Sequence, residues 1–420
     1  MNRTWALLLA SLLSASVEAQ PEWGLAAPLP FGRSDQTATP LGQLIYLAGG
    51  CVGAQQCNGG YCSCTAITRN VVAFSPYAPA GGAYTFKAPM PIARYRHISC
   101  PLGDGTGMVI FGGRTLTPAD ATTNDNLITR LDVYSATTNT WRTLGATYPA
   151  TALGSDNSCT TGTDGKIYVM GGYVQNYTTS TRTLYSFTLD ATAAGGTWRT
   201  LAPMPIGLGD FSSALAPNGN IHVIGGYSTE TPGNWSCRPL AINLAYSPPQ
   251  NTWAYAATPP DFFAEKDDAL LVAGRLFVMG GEKKRKFSDC NDTDIVALSN
   301  VFSFDAASNT WRNETFLPSA IMRTATATLG GVIYLFGGQG PIVDGDFLPL
   351  LASVLTYTYN PVPVPWYERL FNSGSVAGAV VGTFLCTALC MCAVQYLRCA
   401  ERLSCRRAAS PLKDELGLNP

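Results

Sequence analysis

The apolar residues of this 420-residue chain gather into short runs, six of which end on a Gly-Gly doublet. They read LIYLAGG (to Gly50), MVIFGG (to Gly113), IYVMGG (to Gly172), IHVIGG (to Gly226), LFVMGG (to Gly281) and IYLFGG (to Gly338). Four or five apolar residues closed by glycines suit a buried strand whose end is approached by another backbone. Successive doublets lie 63, 59, 54, 55 and 57 residues apart. A period that regular predicts a repeat architecture.

Each unit predicts four strands. Asp104-Gly105, Asp164-Gly165, Asn218-Gly219 and Gly330-Gly331 stand just before the apolar runs and favour tight reversals, so strands a and b form a hairpin. An aromatic strand c follows at Tyr134, Phe187, Tyr246 and Phe304. A tryptophan then opens strand d at Trp141, Trp198, Trp253 and Trp311. The c–d connections, such as TTNTW, PPQNTW and ASNTW, are short turns. Proline-containing exits such as APMP and FLP come after the tryptophan strands.

The doublet, the strand-c aromatic and the strand-d Trp together resemble the kelch family of β-propellers, over roughly residues 20–359. The resemblance implies an all-β, six-bladed propeller around a central channel. The first repeat has Tyr84 where Trp is usual, and the last reaches Tyr357 and Tyr359 without a Trp strand. Trp23, in PEWGLAAPLP, carries the strand-d signature before any doublet. The N-terminal segment is therefore expected to complete the last blade and leave no open edge. On that reading Trp23 contributes as much to stability as Trp253.

Composition limits the partners and suggests the compartment. Net charge is -1 and only 13% of residues are charged, so no basic surface for nucleic acid is expected. Residues 1–19 have the charge, apolar stretch and small-residue end of a signal peptide. Residues 374–397 contain 23 uncharged residues from Ser375, enough to span a bilayer, and arginines follow at 398, 402, 406 and 407. The expected order is signal peptide (1–19), propeller ectodomain (20–359), Pro-rich linker (360–373), transmembrane helix (374–397) and cytoplasmic tail (398–420). That order is expected of a single-pass type I membrane protein of the plasma membrane or an endomembrane. Gly374, Gly378 and Gly382 lie near one helix face and suit a homodimer contact.

Cysteines and sequons bear on that topology. Eight of thirteen cysteines precede the apolar segment, an even number in an oxidising compartment. Cys100 and Cys159 occupy equivalent places in adjacent repeats, as do Cys237 and Cys290. Both pairs are disulfide candidates, with buried free thiols the alternative for Cys100 and Cys159. Cys51, Cys57, Cys62 and Cys64 share one loop and form either two disulfides or a zinc site. Asn176, Asn234, Asn291 and Asn313 begin glycosylation sequons, all before the apolar segment.

Strand order locates a working face. The b–c connections are long and share a face with the d–a connections, whereas a–b and c–d are mostly short. Long loops on a rigid scaffold are where binding usually sits. Arg33, Arg94 and Arg323 follow the exit prolines, and the kelch resemblance implies that arginines there line the ligand face. His97, Asp261, Glu265 and Asp268 complete the candidate set, with Asp267 in the same acidic group. The second histidine, His222, falls inside strand b and is expected to be packed. The chain is a poor match for copper-radical sugar oxidases resembling galactose oxidase, which need more ligands and a further domain. The acidic group differs in spacing from the iron-binding motif of nitrile-specifier kelch proteins. No catalytic residue, metal or cofactor is assigned. Two readings result: a membrane-anchored recognition module for a protein or glycan, and a membrane-tethered enzyme acting on a sugar or small metabolite.

Overall fold

Each doublet repeat folds into a four-stranded antiparallel sheet, and six sheets form the ring. The computed structural model describes residues 23–359 apart from 59–60, 118–125, 148, 150–153, 175–178, 191–194, 231–238, 266–267, 285–294 and 342–346. The expected signal peptide, the linker, the membrane span and tail, Asn176, Asn234, Cys237, Asp267, Cys290 and Asn291 lie outside the described residues. Residues 1–360 form one compact unit and 361–420 another. Among the described residues no helix is long and apolar enough to cross a membrane.

The third blade shows the pattern: strand a Ser158–Thr161, b Ile167–Met170, c Leu184–Leu189 and d Gly196–Thr200. Its strand b is wholly buried, as the unbroken apolar run requires. The strand-c aromatic pairs in register with the strand-d indole in four blades: Tyr134 with Trp141, Phe187 with Trp198, Tyr246 with Trp253, and Phe304 with Trp311. Their ring centroids are 4.8–5.0 Å apart, a favourable aromatic spacing. Blade 3 keeps this register although its aromatic and Trp are eleven residues apart, because the extra residues fall in the c–d turn.

The Asn-Thr-Trp turns also clasp the preceding blade. Asn139, Asn251 and Asn309 adopt left-handed φ near 53°, which asparagine tolerates better than most residues. Their Oδ1 atoms accept the amides of Ala88, Ala202 and Ala257 at 2.8–2.9 Å. The Nε1 of Trp141, Trp253 and Trp311 donates to the carbonyls of the same three alanines at 2.7–2.8 Å. One Ala in each exit is thus held at both its polar groups.

The ring closes through the N-terminal segment. Trp23–Leu25 pairs with the last strand c, Val354–Thr358, with Trp23 opposite Tyr357 and the two rings 4.7 Å apart. No Asn-Thr precedes this indole, and Trp23 Nε1 is buried without a hydrogen-bond partner. The expected equivalence with Trp253 is corrected accordingly: the closing blade has the stacking and the strand pairing but not the clasp. Trp23→Ala is expected to cost about 2 kcal/mol and Trp253→Ala about 3 kcal/mol, below and at the lower end of the range for buried tryptophans because both are half-buried. Guanidinium unfolding checks the order. An unchanged midpoint for Trp23→Ala would rule out its role in closure.

Cys100 and Cys159 are bonded, joining strand a of blade 2 to strand a of blade 3 with Cα atoms 6.1 Å apart. Cys51 and Cys64 are bonded within the first b–c loop. Backbone pairing places Cys57 opposite Cys62 in the same loop.

Candidate functional site: the channel mouth

The Gly-Gly doublets make the mouth of the channel. A Cβ on Gly50 would stand 2.5 Å from the Ser34 carbonyl oxygen, and one on Gly226 2.6 Å from that of Gly209. Both glycines also have φ near +95°, so only glycine lets the d–a connection pack there. The second glycine then donates its amide to the next blade's d–a connection, as Gly50 does to Arg94 O at 2.9 Å and Gly226 to Phe263 O at 2.9 Å.

Each d–a connection delivers one charged residue to the channel axis: Asp35, Arg96, Asp156, Asp210, Glu265 and Arg323. All six are left-handed, with φ between 49° and 59°. That conformation costs a non-glycine residue about 1 kcal/mol or more. It is held by a closed circle of backbone hydrogen bonds, in which each amide donates to the carbonyl of the equivalent residue one blade back. The six distances are 3.0–3.3 Å, and Asp35 closes the circle onto Arg323 O.

The side chains form one ion network. Arg96 reaches Asp35 at 3.3 Å, Asp156 at 3.2 Å and Glu265 at 3.7 Å. Arg323 reaches Glu265 at 3.1 Å and Glu282 at 3.4 Å. Burial works against the Arg323 charge, but Glu265, then Glu282 and Asp35, raise its pKa over the opposition of Arg96. A second tier comes from the residues after the doublets. Tyr227 donates to Glu282 Oε1 at 2.9 Å, Arg114 to Ser155 Oγ at 2.9 Å and Gln339 to Ser34 Oγ at 3.1 Å. Asp210 has the most unfavourable position: burial, then the Glu265 and Asp156 charges, push its carboxyl well above the usual range, with Arg96 opposing.

The predicted residues divide between this mouth and the wall behind it. Glu265 and Arg323 are in the circle. Arg33 and Arg94 stand two residues before it and are fully buried, so neither lines an open ligand face. Arg94 donates to Gly112 O at 3.2 Å and pairs with Asp132, and Arg33 lies 4.4 Å over the Phe31 ring. At the same position other blades use Leu208, Phe263 and Ile321; both arginines are wedges between blades. Burial, partly offset by Tyr84, lowers Arg33 to about 10. His97 is buried 3.4 Å from Thr37 Oγ1 and stays neutral, lowered to about 3 by burial and then Arg94, while a hydrogen bond with Ala48 opposes. His222 is packed in strand b with Nδ1 2.8 Å from Asn243 Oδ1, as expected. Asp261 is outside the mouth, paired with Lys283 at 3.0 Å.

Deeper in the channel the wall is hydroxyl-lined. A cavity of about 300 Å³ is bordered by Thr39, Ser99, Thr160, Ser213, Asp268 and Thr326, among others. Asp268 accepts from Ser158 Oγ at 2.9 Å. Its side chain is exposed at the channel opening, yet protein from the surrounding blades desolvates it, and this raises its carboxyl to about 6 despite the Ser158 bond. A carboxyl raised in the fold supports stability fully below its unfolded value, and that support is lost as pH rises through the folded one. The loss therefore runs from about pH 4 to about 6. Asp268→Asn is expected to stabilise the protein above pH 6, on the order of 1 kcal/mol after allowing for channel water, with little gain below pH 4. Thermal melts across that range check it.

Four members of the circle, Asp35, Arg96, Asp156 and Asp210, were not singled out by sequence reasoning. Their signal is present: each of the six charged residues stands 15–17 positions before the second glycine of its doublet. Only superposing the d–a connections reveals it, since the neighbouring residues differ.

A family model described as the Attractin/LZTR1 beta-propeller matches residues 82–348. The chain belongs to that family. Among curated proteins it is 28% identical over 149 residues to "Kelch repeat and BTB domain-containing protein 3" of Pongo abelii, covering 33% of this chain and 23% of that protein. It is 28% identical over 127 residues to N-acetylneuraminate epimerase of Yersinia pestis (strain Pestoides F), covering 27% and 32%. The epimerase of Yersinia enterocolitica is 34% identical over 104 residues, covering 24% and 26%. The chain thus spans about a quarter to a third of the length of these relatives. The solved structure of YjhT superposes with a TM-score of 0.59 at 15% identity, over 79% of this chain and 97% of that one. This likeness is one of fold.

Proposed function

We propose that this kelch propeller is a membrane-anchored recognition module that binds a protein or glycan through its b–c and d–a loop face. The observation that carries the reading is how that face is built. The b–c loops of blades 6 and 1 combine into one raised sheet, Phe347–Leu348 pairing with Gln55–Asn58 and that strand with Tyr61–Cys64. Two-stranded ribbons rise from blade 3 (Tyr173–Val174 with Thr179–Ser180) and blade 5 (Glu282–Lys284 with Ile295–Ala297). The loops of blades 3 and 4 are tied by reciprocal bonds, Ser180 N to Thr229 Oγ1 at 2.9 Å and Thr229 N to Ser180 Oγ at 3.0 Å. Pre-ordered loops lose less entropy on binding.

The anchor is residues 374–397, and the propeller is extracellular or lumenal. The Cys51–Cys64 and Cys100–Cys159 disulfides among the described residues support an oxidising compartment, and Asn313 of the fourth sequon is exposed at the end of a strand d. The last strand c ends at Thr358 on the short-turn face, opposite the b–c loops.

The test displays the full chain on cells and screens it against surface-protein and glycan libraries. Leu116, an apolar b–c residue 41% exposed, is on the loop face, and Phe86, 59% exposed, is on a strand d of the outer rim. A ligand weakened at least tenfold by Leu116→Glu and unaffected by Phe86→Glu is the expected result. The reverse pattern rejects the face. A second reading, turnover of a sugar, is favoured by the raised Asp268 carboxyl in the hydroxyl-lined channel, since a group near the working pH suits proton transfer. The N-acetylneuraminate epimerase similarity points the same way. Sugar epimerisation by the purified chain, lost in Asp268→Asn, would replace the first reading with this one.

A further inference from the structure

Three successive d–a connections bring Asp156, Asp210 and Glu265 together, and one carboxylate oxygen from each lies within 4.8 Å of the others. We propose that these three carboxylates bind a divalent cation of the Ca²⁺ type at the mouth of the channel. Oxygens within 4.8 Å of one another can share one divalent ion. Ca²⁺ takes 6–8 oxygens at about 2.3–2.6 Å in flexible geometry, whereas Mg²⁺ at about 2.0–2.1 Å demands near-ideal octahedral geometry.

The charges are not balanced by the arginines. Arg96 reaches Asp156 and Glu265, and Arg323 reaches Glu265. Among the described residues no cation pairs with Asp210, whose carboxyl is crowded first by burial and then by the other two charges. Tyr173 is the hydrogen-bonding neighbour of Asp210, and the same crowding raises the phenol.

A separate sign comes from Asp156. Its side chain is only 4% exposed, and Oδ1 takes the Arg96 guanidinium at 3.2 Å. Oδ2 is buried and meets no hydrogen-bond donor. An anionic oxygen cut off from water and left without a donor is costly, and a bound cation removes that cost. The carboxylate borders a cavity of about 100 Å³ that Asp210 and Glu265 also line, room for an ion and its remaining waters. The ligands are held before binding: Asp210 N donates to Asp156 O, and Glu265 N to Asp210 O, each at 3.0 Å. Such preorganisation is what a metal site on a rigid scaffold requires.

The full chain, stripped with chelator, is titrated with Ca²⁺ by calorimetry and with Tb³⁺ by luminescence. One Ca²⁺ per chain is expected, with Mg²⁺ at least tenfold weaker. Asp156→Asn and Asp210→Asn should each weaken Ca²⁺ at least tenfold. Asp164→Asn, on an a–b turn where its partner is Lys166, should leave binding unchanged. Asp210→Asn relieves repulsion and keeps the fold, so its result stands even if Asp156→Asn unfolds. No binding up to about 10 mM Ca²⁺, beyond the weak range of extracellular calcium modules, overturns the proposal. So does binding that survives Asp210→Asn.

Discussion

Arg96→Met is expected to destabilise the protein by about 3–5 kcal/mol, the range for removing one partner of a buried ion pair. The guanidinium is 10% exposed and stands among the carboxylates of Asp35, Asp156 and Glu265. Methionine fills most of the volume but leaves those acids facing one another across the channel, with Asp210 already crowded beside them. Lowering the pH should return part of the loss through Asp210, whose carboxyl is raised by burial and then by the Glu265 and Asp156 charges, so that its penalty grows as pH rises. Arg96→Lys should recover only part, since an ammonium cannot span three carboxylates with a planar fork. Urea unfolding at neutral and mildly acidic pH measures both effects. A variant as stable as the wild type at neutral pH would show that the network is not a structural keystone.

Removing the inter-blade disulfide with Cys100→Ala and Cys159→Ala together should cost about 4 kcal/mol on the chain-entropy account. The bond closes a segment with a sequence separation of 59, against 13 for Cys51–Cys64, and the longer loop restricts the unfolded chain more. The same account gives the shorter bond about 3 kcal/mol. Denaturation under non-reducing conditions should therefore show a larger midpoint loss for Cys100/Cys159 than for Cys51/Cys64. Equal midpoints for wild type and the Cys100/Cys159 variant would reject the cross-link between blades 2 and 3.

The Asn-Thr-Trp clasps and the charged circle secure successive blades at opposite ends of the ring. At the outer edge, one Ala in each of three exits, those of blades 1, 3 and 4, is gripped by the Asn and Trp of the next blade. At the axis, every left-handed residue passes a backbone hydrogen bond to the blade before it. The closing blade has the second device without the first. Its strand pairing and the Trp23–Tyr357 stack therefore hold the junction between the two ends of the repeat array.

Much of this was determined by the sequence alone, because the determinants are local and repeated. Doublet spacing counts the blades, turn residues set the hairpins, and Trp23 standing ahead of the first doublet names the closing strand. Periodicity in one dimension suffices there, since each blade is built from one stretch of chain. Only the tertiary structure decided the site. Arg33, Arg94 and Arg323 look alike in the sequence, yet a shift of two positions buries the first two between blades and sends the third to the axis. The left-handed backbone, the partners of Asp156 and Asp210, and the raised Asp268 carboxyl likewise depend on residues from different blades meeting in the channel. Burial and charge proximity are properties of the closed ring, and they appear only when all six blades are in place.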